Sequence, residues 1–89
     1  MNKIQKIDPK YKYFLIELSE TILERAFEAL KARDRIKKKG ENSSFEDGRI
    51  LAFNEVLSIL QQEARGFGIN LKELKLDKID PDRDFILGC

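Results

Sequence analysis

Residues 31–53, KARDRIKKKGENSSFEDGRILAF, pass from six basic residues through Gly-Glu-Asn-Ser-Ser into an acidic start and then an apolar pattern. Lysines and arginines in the last turns of a helix face the negative end of its dipole and stabilise it by roughly 0.3–1 kcal/mol each. Gly40 supplies the left-handed residue that closes such an end. Ser43-Ser44-Phe45-Glu46 fits a capping box, in which Ser43 and Glu46 would satisfy each other's backbone amides. The stretch therefore reads as the end of one helix and the start of the next. A connector as short as residues 40–44 makes those helices antiparallel neighbours.

Upstream, Asp8-Pro9 is a helix start: the aspartate accepts from free first-turn amides, and proline at the first helical position gives up a hydrogen it does not need. No glycine or proline follows until Gly40. The spacing predicts a helix over residues 9–39, a rod of about 46 Å. Tyr11, Leu15, Leu18, Ile22, Ala26, Ala29 and Leu30 follow three-and-four spacing, and Ile16, Leu23 and Phe27 widen the stripe on one side. Covering Leu23, Phe27 and Leu30 then requires either the C-terminal segment or a second subunit, and a dimer is the favoured expectation.

Downstream, a second helix is predicted over residues 44–65, stopped at Gly66-Phe67-Gly68, with a seam of Phe53, Val56, Leu57, Leu60 and Ala64 continued by Phe67. Gly48 inside its first turns costs about 1 kcal/mol against alanine, which suggests close approach of a neighbouring backbone. Leu51 falls on the opposite side, among Glu55, Ser58 and Gln62. In the tail, Asn70 with Glu73 resembles a capping-box variant that opens a short helix over residues 71–76. Asp80-Pro81 repeats the signal of Asp8-Pro9, and a last turn through Phe85, Ile86 and Leu87 is expected to fold back on the core. No segment alternates with period two for long enough to predict a strand. The expected fold is all-α: a single domain over residues 1–89, built as a long antiparallel helical hairpin with a short third helical segment.

Composition narrows the chemistry. At 89 residues, with 42% hydrophobic and 37% charged residues and a net charge of +1, the chain is a charged, foldable domain and not a uniformly basic nucleic-acid binder. It contains no histidine and one cysteine, Cys89. The commonest general base, the commonest neutral metal ligand and zinc sites of cysteine and histidine are thereby missing. Asp80, Asp82 and Asp84 have calcium-loop spacing, but Phe85 stands where that loop needs glycine. Gly66 and Gly68 follow no strand and precede no lysine-serine or lysine-threonine pair, so no phosphate loop is expected. Neither catalysis nor a metal or other cofactor is expected. No apolar run reaches the length of a signal-peptide core or a membrane span, and the single cysteine suits a reducing compartment, so the expected location is the cytoplasm.

Surface charge is what remains. Glu17, Glu20, Glu24 and Glu28 recur at three- and four-residue steps and form an acidic stripe on the outer face of the first helix. Asp77, Asp80, Asp82 and Asp84 make a second acidic site near the C-terminus. Residues 31–39 carry a net charge of +5, which leaves −4 for the rest of the chain. Within that run, Arg33, Arg35, Lys37, Lys38 and Lys39 form a possible basic patch, with no aromatic residue among them to stack a base. Acidic faces on a small helical protein without catalytic groups suit an inhibitor that covers a basic active site.

FEDGRILAFNEVLSILQQEARGFGINL (residues 45–71) and DKIDPDRDFIL (residues 77–87) together resemble the second-helix region of small all-α bacterial toxin-immunity proteins. The resemblance implies a protein that binds and neutralises a cognate toxin, and the acidic faces would suit a toxin of nuclease type with a basic active site. A self-associating helical adaptor is the alternative, and an accessory protein that binds nucleic acid through residues 31–39 is a third reading.

Overall fold

The computed structural model describes residues 9–87; Asp8, Cys89 and the side chain of Leu87 lie outside the described residues. Helix α1 spans Pro9–Lys38 and helix α2 spans Ser44–Gly66. A short 3-10 helix, Leu71–Leu74, and a terminal π-helical turn, Arg83–Leu87, follow. No strand occurs among the described residues. The architecture is the expected helical hairpin with a short third segment folded over it.

The junctions follow from local chemistry. Gly40 has φ +73°, and Glu41 N–H reaches back to Ile36 C=O at 3.1 Å, so glycine closes α1 by the left-handed route. Gly68 repeats this at the end of α2 with φ +72°, where Ile69 N–H donates to Ala64 C=O at 2.7 Å. The cap of α2 differs from the expected Ser43–Glu46 box. Asn42 Oδ1 accepts from Ser44 N–H at 2.7 Å, while the Ser43 hydroxyl donates to Asp47 at 3.2 Å. Asn42 reaches a free first-turn amide from one residue further back, which leaves Ser43 to bond an acid one turn on. Asn70 Oδ1 accepts from Lys72 N–H at 2.9 Å and opens the 3-10 helix as expected, though that helix is shorter than residues 71–76. Lys75 ends it in the left-handed region at φ +61°.

Between the helices the core holds Ala26, Ala29, Ile50, Leu57 and Ala64, and Leu74, Leu76 and Phe85 close it from one side. Small alanines on facing helices permit close approach of their backbones. Phe85 is buried, and its ring lies 5.4 Å from that of Phe27, with Leu23 and Leu30 also packed against the core. The C-terminal segment therefore covers the side of α1 for which a second subunit was the alternative.

Several seam positions differ from the sequence reading. Tyr11 and Phe67 are exposed, and Leu18, Val56 and Phe27 lie near two-fifths exposure. Ser19, Arg33, Asn54 and Gln61 are buried in their place. Among the described residues nothing stands within 4 Å of where a Gly48 side chain would begin, so no neighbouring backbone there requires that glycine.

Candidate protein-interaction surface

Taken at 100° per residue, the buried positions Ser19, Ala26, Ala29 and Arg33 cluster on one arc of α1, and Glu17, Glu24 and Glu28 lie on the opposite arc. All three glutamates are exposed, and none makes an ion pair among the described residues. Glu20 sits toward the covered side and pairs with Lys75, which ties α1 to the end of the 3-10 helix. The predicted stripe is thus a ridge of three outward carboxylates beside one tether.

The second acidic group is used differently. Asp80 Oδ1 accepts from Asp82 N–H and Arg83 N–H, both at 3.1 Å, and Asp84 Oδ2 accepts from Asp80 N–H at 3.0 Å. These reciprocal bonds cap the last helical turn, with Pro81 at its first position. Asp82 Oδ1 also accepts from the Asn54 amide at 3.0 Å, which fixes that turn to α2. The Arg83 side chain donates to Asp84 at 2.8 Å and holds its carboxyl below the ordinary carboxylate range, while the Arg83 guanidinium is shifted upward by the same bond. Asp77 is exposed and, alone of the four, makes no side-chain hydrogen bond or ion pair among the described residues. Three of the four C-terminal aspartates therefore hold the fold together in addition to carrying charge.

The basic run is divided as well. Arg35, Lys37, Lys38 and Lys39 are exposed, whereas Arg33 is buried at the helix–helix interface and donates to Asp34 at 3.3 Å. Its long aliphatic stem lets an arginine occupy a seam position that the sequence pattern assigned to the surface.

Sequence reading missed two residues that position these surfaces, Asn54 and Gln61. The Gln61 amide donates to Leu76 C=O at 3.1 Å and to Ile79 C=O at 2.7 Å. Their signal was a seven-residue step within the stripe of Ile50, Leu57 and Ala64, where two polar side chains interrupt an apolar face.

No helix among the described residues is long and apolar enough to cross a membrane. No family model, curated protein or solved structure matches the chain.

Proposed function

We propose that this chain is a small non-catalytic protein-binding module of the toxin-neutralising, immunity type, whose ridge of Glu17, Glu24 and Glu28 docks on a basic surface of its partner. One observation carries this reading: three exposed carboxylates in line on the outer arc of α1, with no ion pair of their own among the described residues. Glu24 and Glu28 are four residues apart, and like charges at that spacing cost an isolated helix roughly 0.2–0.5 kcal/mol. A basic partner would turn that repulsion into attraction and speed encounter. The bacterial and cytoplasmic setting belongs to the same proposal.

A nucleic-acid partner fits less well, because burial of Arg33 removes one cation from the run and no aromatic residue stands among the others. Self-association has its own support in apolar residues left exposed on α2, Val56 and Phe67 among them.

The test is Glu24→p-benzoylphenylalanine in the otherwise wild-type chain, photolysed in the cells that produce it and analysed by mass spectrometry. The expected result is one discrete adduct with a basic protein, lost when Glu17 and Glu28 are both changed to lysine. No discrete adduct from position 24, with one forming from Lys38→p-benzoylphenylalanine instead, would overturn the assignment.

A further inference from the structure

The segment after α2 packs on one side of the hairpin, as the Glu20–Lys75 pair at the end of the 3-10 helix and the Gln61–Ile79, Asn54–Asp82 and Phe27–Phe85 contacts beyond it show. On α2, helical spacing sends a different set of residues to the other side. Arg49, Phe53, Val56, Leu60, Glu63 and Phe67 succeed one another at steps of four, three, four, three and four. That is the heptad spacing of a helix with a further helix beside it. It is distinct from the buried stripe of Ile50, Leu57 and Ala64, which faces α1. Phe53 and Leu60 are half-buried at the inner edge of this second stripe, while Val56 is 39% exposed and Phe67 78%.

The stripe is symmetric about its centre. Arg49 stands seven residues before Val56 and Glu63 seven after; Phe45, 72% exposed, stands eleven before and Phe67 eleven after. A two-fold axis through Val56 sets α2 antiparallel to its copy, with Arg49 facing the partner's Glu63 and Phe45 facing the partner's Phe67. A parallel arrangement would set arginine on arginine and glutamate on glutamate. A two-fold contact requires self-complementarity of this kind.

The area suffices: α2 is about 34 Å long by its rise per residue, and two helices side by side are roughly 20 Å across. The open side thus offers about 700 Å² per chain, close to the ~800 Å² per partner of a standard stable interface.

We propose that the chain forms a two-fold homodimer through the open side of the hairpin, with α2 antiparallel to its copy and Val56 on the axis. The contact centres on α2 and leaves Glu17 and Glu24 on the outer arc of α1, while Glu28 shares a groove with Arg49 at its edge.

Light scattering and sedimentation of the full chain, from low-micromolar to sub-millimolar concentration, test the dimer, with circular dichroism to check that each variant is folded. Val56→Asp sets two carboxylates against each other on the axis and should raise the dimer dissociation constant by at least about thirtyfold, the effect of losing a central hot spot. Arg49→Glu and Glu63→Arg should each weaken the dimer, and the double variant should restore it. On one helix these residues are fourteen positions apart, too far for rescue within a chain. A wild-type chain that stays monomeric throughout, a dimer indifferent to Val56→Asp, or a double variant no better than the singles would overturn the proposal. Charge reversal of Glu17 and Glu24, which stand outside the groove that Glu28 shares with Arg49, should leave the dimer intact, so loss of partner binding and loss of the dimer are read separately.

Discussion

The side-chain amide of Gln61 donates to the carbonyl of Ile79 across 2.7 Å, and through it a helix of the hairpin holds a segment eighteen residues further along the chain. The same amide reaches Leu76 C=O, so Gln61→Leu leaves two carbonyls without their donor. The expected loss is about 1–3 kcal/mol, the cost of stranding partly buried acceptors. Urea unfolding of the variant measures it. A loss below a few tenths of a kcal/mol would mean that water replaces the amide without penalty.

Phe85 anchors the end of that segment. It is 1% exposed and lies against Phe27, so Phe85→Ala removes the largest fully buried side chain. Such truncations cost about 3–5 kcal/mol. In a domain this small, total stability is of order 5–10 kcal/mol, so the denaturation midpoint should fall by a large fraction. A variant that melts near the wild-type temperature would contradict the packing described for the C-terminal turn.

Ser19 invites a stabilising change. Its side chain is buried at the helix–helix contact and its hydroxyl has no hydrogen-bond partner among the described residues. Ser19→Ala removes an unmatched polar group and adds helix propensity, with an expected gain of about 1 kcal/mol in the unfolding free energy. Destabilisation instead would show that the hydroxyl has a partner, such as an internal water.

How much of this was legible in the sequence depends on the range of the interaction. Gly40, Gly68, Asn70 and Asp80 act on amides within a few residues, so their types and positions announced the helix ends directly. The cap of α2 was displaced because Asn42, Ser43 and Ser44 are all competent, and only the backbone path selects Asn42. Asn54, Gln61 and Arg33 sit at buried positions of the helical period, but their polar side chains score as exposed, and they are buried only through partners or stems that reach across the fold. Among the candidate site residues, the outward placement of Glu17, Glu24 and Glu28 followed from helical spacing, whereas the tether of Glu20 to Lys75 depends on where the 3-10 helix docks.

The Arg83–Asp84 pair sets a pH dependence. The hydrogen bond from Arg83 lowers the Asp84 pKa in the folded chain, so the unfolded chain binds the extra proton more readily. Its contribution is therefore fully present above the ordinary aspartate value of about 3.9 and fades as pH falls through the lower, folded value. The pair is largely solvent-exposed on the arginine side, so the effect is small. Unfolding curves of wild type and Asp84→Ala should differ at neutral pH and converge as the acid range is entered. A gap that widens in acid would reverse the assigned sign.

The most direct measurement is the association rate between this chain and the basic partner captured at position 24, compared for wild type and a variant in which Glu17, Glu24 and Glu28 are all lysine. Glu20 is kept, because it holds the fold through Lys75. At low ionic strength the variant should associate at least about tenfold more slowly, and the difference should shrink as salt screens the surface. Its helical circular dichroism should be unchanged. An unaltered association rate in that variant, with binding abolished by neutralising Arg35, Lys37, Lys38 and Lys39, would place the functional face at the opposite end of the hairpin.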